Sequence, residues 1–212
     1  MHVKTLIASL FLAVSALAAP TDLETRQSQS CSKLQLVFLA GTNEEGLGLA
    51  GGPLSTSLQS AVSGTTNYSV PYDTRVEYGS TITAGATLVV NYLTAQAARC
   101  PNQVFALGGY SKGAMVIHSK SQTSLSATLK AKVKAIVVFG DPYRSSSTAW
   151  PINSPVVNSS PRNGSTAAQN VASFCNSGDL FCGGGLSIPA HLAYGTDGST
   201  TVAATFIKTK VA

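Results

Sequence analysis

The chain has 212 residues, 44% of them hydrophobic and only 11% charged. That balance excludes an intrinsically disordered protein and gives enough chain for one domain with a full core. The formal net charge is +5, yet no aromatic residues are interleaved with the basic ones. This argues against nucleic-acid binding and leaves two readings of the charge: solvated lysine faces, or attraction to an acidic surface such as a plant or microbial wall.

Residues 1–18 read as a signal peptide. His2 and Lys4 form a basic start, Leu6 to Val14 an apolar middle, and Ala16-Leu17-Ala18 a small-residue exit. The segment is too short to span a bilayer and no other stretch comes near the required length, so no stable membrane insertion is expected. Residues 19–26 read as a pro-piece ending at Arg26, and residues 27–212 as a single domain.

Leu34 to Ala40 is an apolar run that predicts a central strand, followed by the polar loop Gly41 to Gly46. Glycines 46, 48, 51 and 52 predict a mobile or tightly turned stretch, with a short helix from Leu54 to Val62. Asn67 to Val70 predicts a strand stopped by Pro71. Ser80 to Arg99 predicts a long helix, because Ile82, Leu88, Val89, Tyr92, Leu93 and Ala97 recur near helical spacing. Strands follow at Gln103 to Gly109, Val133 to Phe139 and Asn170 to Cys175. Helices are predicted after Ser111 through about Lys120, over Ser124 to Lys132, and over Thr200 to Val211. Ser145 to Gln169, rich in Ser, Asn and Pro, reads as a surface excursion. Strands alternating with helices imply an α/β domain with a mostly parallel sheet covered on both faces. In such a sheet the site lies at the carboxyl ends of the strands.

Gly109-Tyr110-Ser111-Lys112-Gly113 fits G-x-S-x-G between an apolar strand and an apolar helix. A serine on so sharp a turn is pushed out at the end of the sheet, and its neighbours two before and two after must be small. The hydroxyl needs a base. Of three histidines, His2 lies in the signal peptide and His118 sits two turns down the helix from Ser111, where a packed side chain is the plain reading. That leaves His191. The carboxylate that orients it is Asp141, which closes a strand before Pro142, or Asp179, which lies between Cys175 and Cys182. A small disulfide loop would hold Asp179 rigidly twelve residues before His191, which favours it. Lys112 can offer its backbone N–H to a developing oxyanion, and Thr42 both its N–H and its hydroxyl.

The cysteines number four in an exported reading, which implies two disulfides. Cys175 and Cys182 are close enough to pair, leaving Cys31 with Cys100. No C-x-x-C pair supports a metal site. Asn67, Asn158 and Asn163 each open a glycosylation sequon. Leu186, Ile188 and Pro189 beside His191 are candidates for the rim of a substrate cleft.

These residues resemble the fungal cutinases. Gly109 to Ala114 carries part of the likeness. The more specific part is Cys175-Asn176-Ser177-Gly178-Asp179-Leu180-Phe181-Cys182 followed by His191-Leu192-Ala193-Tyr194-Gly195. The resemblance implies a small α/β-hydrolase without a long lid and with disulfides Cys31–Cys100 and Cys175–Cys182. It implies a Ser111, Asp179, His191 triad and oxyanion donors at Thr42 and Lys112. The implied protein is a secreted, monomeric serine esterase without metal or cofactor, acting on cutin, related polyesters or short-chain esters. Three departures stand out. Lys112 replaces the family's usual glutamine, Thr42 its usual serine, and Ser145 to Gln169 is unlike the usual connection. Rival readings are an acetylxylan esterase or lipase on the same fold, and a non-catalytic wall-binding protein.

Overall fold

The structure is a computed structural model that describes residues 30–119, 124–146 and 149–211. The expected signal peptide and pro-piece lie outside the described residues. Six strands form one sheet: β1 (Leu34–Leu39), β2 (Thr66–Ser69), β3 (Val104–Tyr110), β4 (Val133–Phe139), β5 (Val157–Asn158) and β6 (Val171–Phe174). Their order is β2-β1-β3-β4-β6-β5, and every pair is parallel.

Among the described residues the helices are α1 (Gly48–Ala61), α2 (Ser80–Arg99), α3 (Lys112–Ile117), α4 (Ala127–Lys132), α5 (Ile188–Leu192) and α6 (Ser199–Val211), with α1 and α6 on one face of the sheet and α2 and α3 on the other. Alternation along the strands divides the core into two layers. Leu34, Leu36 and Phe38 of β1 pack with Leu54 and Leu58 of α1 and with Phe206 and Ile207 of α6. Val37 and Leu39 point the other way, onto Ile82, Val89 and Leu93 of α2 and Val116 and Ile117 of α3. Burial on both faces is why the strands read as unbroken apolar runs rather than as alternating ones.

Two expectations change. The glycine-rich stretch is a turn only at Gly46, whose φ is 58°, because α1 begins at Gly48 and carries Gly51, Gly52 and Pro53 inside it. Gly51 lies against the Phe38 ring, in space a Cβ would occupy. Gly51 therefore serves close helix-to-sheet packing. Ser145 to Gln169 is not purely a surface excursion either. It supplies the edge strand β5 and sends Trp150 and Ile152 into the core, where the Trp150 indole stacks on His118 at 3.8 Å. Both expected disulfides are present, Cys31–Cys100 across a separation of 69 residues and Cys175–Cys182 across 7.

Candidate active site

Ser111 stands between β3 and α3 with φ 50° and ψ −113°, a left-handed conformation that a non-glycine residue adopts at a cost of about 1–3 kcal/mol. The two flanking glycines make this turn possible. A Cβ on Gly109 would come 2.6 Å from the carbonyl oxygen of Gly113, and one on Gly113 would collide with the carbonyl oxygen of Leu39. The turn is thus wedged against both its own helix and the neighbouring strand.

The chain brings His191 to this serine from 80 residues away. His191 opens off α5, and its Nε2 lies 2.9 Å from Ser111 Oγ. Its Nδ1 lies 2.8 Å from Asp179 Oδ2. An ionised carboxylate only accepts, so Nδ1 carries the hydrogen and Nε2 is free to accept from the serine. Asp179 is fully buried. Burial alone would raise its carboxyl, but hydrogen bonds from Tyr194, His191 and the Phe181 backbone hold it below the ordinary carboxylate value. Tyr194 Oη donates to Oδ2 at 2.6 Å, and the N–H groups of Phe181 and Cys182 donate to Oδ1 at 2.7 and 3.3 Å. The Cys175–Cys182 disulfide closes the loop that aims these groups. His191 is held from further sides. Tyr110 Oη donates to its carbonyl at 3.0 Å, and the Phe181 ring sits 4.4 Å from the imidazole. Gly140 leaves room for the ring, since a Cβ there would lie 2.6 Å from His191 Cε1.

The alternative carboxylate, Asp141, does not reach His191. It is buried and bonded through Oδ2 to His118 Nδ1 at 2.8 Å, while Oδ1 accepts from the Tyr143 N–H at 2.8 Å. Asp141 thus caps the turn at Pro142, and His118 is the packed helix histidine.

Thr42 follows β1, so it shares the carboxyl edge of the sheet with Ser111. Glu44 shapes its loop by accepting from the N–H groups of Gly41 and Leu49 at 2.6 and 3.0 Å. The Thr42 hydroxyl shares a 3.1 Å hydrogen bond with Tyr78 Oη. Lys112 brings a surprise. Its side chain is wholly buried, with Nζ donating to the carbonyls of Asp73 and Arg75 at 2.9 and 2.5 Å. The ammonium also lies 5.7 and 5.4 Å from the ring centres of Tyr72 and Tyr78. Burial pulls its pKa below the usual lysine value, opposed by the charges of Asp73 and Glu77. Lys112 thus fastens the Asp73–Tyr78 segment rather than presenting a cation to solvent.

Leu186, Ile188 and Pro189 are exposed, Leu186 at 93%. The apolar rim is wider than those three, because Leu180, Phe181 and Leu192 are exposed on the same loops and Val76 and Tyr78 on the segment beside Thr42. Sequence reasoning missed Tyr78 and gave Tyr194 no role of its own. The position of Tyr194 in the His-Leu-Ala-Tyr-Gly block was the available signal. Among the described residues, no cluster of three His, Cys, Asp or Glu is placed to hold a metal ion.

The cutinase family profile matches residues 30–211. A curated relative, cutinase CUT1 of Coprinopsis cinerea, is 36% identical over 219 aligned positions, covering 98% of each chain. Trichoderma reesei cutinase in complex with a phosphonate inhibitor superposes with a TM-score of 0.69 at 30% identity, over 86% of this chain and 78% of that one. An acetylxylan esterase also gives a TM-score of 0.69, over 86% of this chain and 100% of that one. At 21% identity that likeness extends to the fold alone.

Proposed function

Because the chain belongs to the cutinase family and is a carboxylic ester hydrolase, we propose that it cleaves the ester bonds of cutin by a Ser111, His191, Asp179 acyl-transfer route. The observation that carries this is the unbroken line from Asp179 Oδ2 through His191 to Ser111 Oγ, at 2.8 and 2.9 Å. His191 Nε2 takes the serine proton as Oγ attacks the ester carbonyl. The tetrahedral oxyanion is received by the backbone N–H groups of Thr42 and Lys112 and by the Thr42 hydroxyl. His191 then hands its proton to the leaving alcohol. Water, deprotonated by the same nitrogen, releases the acid. Asp179 holds the tautomer and balances the imidazolium. Each oxyanion donor is worth about 10²–10³ in rate. The open apolar rim suits a polymer that must lie across the site rather than enter it.

The test is turnover of cutin, a short-chain p-nitrophenyl ester and acetylated xylan, with Ser111→Ala as the control. Cutin hydrolysis that vanishes in Ser111→Ala, with a phosphonate adduct on Ser111, supports the proposal. Preference for acetylated xylan, or no adduct on folded protein, sinks it. Export of a monomer, cut after residue 18 and again at Arg26, completes the reading. The export is supported by the two disulfides. N-terminal sequencing and the elution volume of the secreted protein check those points.

A further inference from the structure

The charges of this domain are sorted by the sheet. Of nine acidic residues, Asp22 and Glu24 precede the described part. The other seven, Glu44, Glu45, Asp73, Glu77, Asp141, Asp179 and Asp197, all lie in segments at the carboxyl edge, where Ser111 and His191 sit. The amino edge carries only cations among the described residues. Lys33 precedes β1, and Arg99 closes α2. Lys130 and Lys132 end α4, Lys134 is the second residue of β4, and Lys208 and Lys210 lie in the last turn of α6. The direction of α6 is fixed at both ends. Arg162 donates to Ser199 at its start, and Lys210 Nζ donates to the carbonyls of Thr166 and Ala167 at its end, in the loop before β6. Lys33, Arg99, Lys134 and Lys208 are exposed. Lys132 and Lys210 are half-buried and bonded to neutral carbonyls, which fix their place without cancelling their charge. Beside them a cleft of about 400 Å³ is lined by Lys33, Arg99, Pro101, Asn102 and the Cys31–Cys100 disulfide.

We propose that this amino edge is a docking surface for a polyuronate, an acidic polysaccharide with a carboxylate on each sugar. The proposal rests on the reading of the protein as exported. Six of the seven cations are lysines, point charges suited to a diffuse polyanion, whereas phosphate recognition favours the arginine fork. The exposed aromatic residues Tyr78 and Phe181 both stand at the opposite edge, so no base-stacking platform accompanies the charge. The apolar residues that would enter a bilayer, Phe181, Leu186, Ile188 and Leu192, are at the opposite edge as well. A molecule held by its amino edge would present Ser111 away from the polysaccharide and toward ester polymer lying beside it. Attraction of this kind is screened within about 10 Å at 0.1 M salt, so it is strongly salt-dependent.

The experiment measures binding of the secreted protein to immobilised polygalacturonate at about 20 mM and about 500 mM NaCl, bracketing that screening range. Two variants with the same change in net charge are compared, Lys134→Glu with Lys208→Glu and Arg75→Glu with Arg144→Glu. The wild type is expected to bind at low salt and release at high salt. The Lys134/Lys208 variant should bind about tenfold more weakly, with p-nitrophenyl ester turnover unchanged, and the Arg75/Arg144 variant should bind like wild type. If the first variant melts early, Lys33→Glu with Lys134→Glu, of the same change in net charge, takes its place with the same expectation. No binding at low salt, equal loss in both charge variants, or tighter binding to DNA or to phosphatidylserine vesicles at equal salt overturns the proposal. Binding without any ester turnover leaves this surface standing and removes the catalytic reading instead.

Discussion

Lys112 and Tyr78 show how a residue can serve the candidate site through a neighbour. The Lys112 ammonium ties down the carbonyls of Asp73 and Arg75, and that segment delivers Tyr78 Oη to the Thr42 hydroxyl. The buried cation lies 5.4 Å from the centre of the Tyr78 ring and so also holds the ring in place. Tyr78→Phe is expected to lower kcat about fivefold with KM little changed, the worth of one neutral hydrogen bond near 1 kcal/mol. Lys112→Met should lower kcat at least as much. The double variant should lose less than the sum, because both act on the same threonine. Additive losses in steady-state kinetics would separate the two residues. Tyr194 plays a comparable part behind the histidine, donating to Asp179 Oδ2 at 2.6 Å. Burial raises the Tyr194 phenol above its ordinary value, and the adjacent Asp179 adds to this, so it stays a donor throughout the working pH range.

At the scale of elements, the Cys175–Cys182 loop is small, closing only 7 residues, but it carries Asp179 and the two N–H groups that face Oδ1. Cys175→Ser with Cys182→Ser should cost about 2–3 kcal/mol by loop entropy. It should also lower kcat in protein that remains folded, which urea melts and kinetics together would show. The 3-10 turn Pro161–Asn163 distinguishes the three sequons. Asn158 is buried, with Nδ2 donating to the Gly164 carbonyl at 2.8 Å and Oδ1 accepting from the Ser160 N–H at 2.9 Å. Asn67 Nδ2 donates to Ser55 Oγ at 2.9 Å, whereas Asn163 is exposed. Secretion from a eukaryotic host is therefore expected to place a glycan on Asn163 and none on Asn158, as glycopeptide mass spectrometry would read. Strands β1, β3, β4 and β6 were legible in the sequence because a parallel strand buried on both faces is a plain apolar run. The α2 helix was legible from its periodicity. The start of α1 was not, because Gly51 is fitted to the Phe38 ring, a contact that propensity cannot register. The convergence of Ser111, Asp179 and His191 could be anticipated from a motif and from strand order. The Tyr78–Thr42 and Tyr194–Asp179 contacts, across 36 and 15 residues, arise only from tertiary packing.

For the molecule as a whole, acid sensitivity follows from how its carboxylates are held. Burial would raise Asp179 and Asp197, but their hydrogen bonds and, for Asp197, the Arg162 charge keep both below the ordinary value. A carboxyl depressed in the folded state stabilises the fold fully above its unfolded pKa of about 3.9 and loses that contribution as pH falls through the folded value. Melting temperature should thus hold level from pH 7 to about 4 with respect to these groups and drop below that. In Tyr194→Phe, which removes the leading hydrogen bond that lowers Asp179, the folded value moves toward the unfolded one, so stability at pH 7 should fall and the acid-induced drop should become smaller. A drop of unchanged size would show that the phenol contributes nothing to the carboxylate. The long covalent tie at the opposite end of the sheet has its own outcome. Cys31, joined to Cys100 at the end of α2, anchors the chain just ahead of the first strand. A chain end of any length upstream of Cys31 would therefore enter the domain through the same covalent clasp.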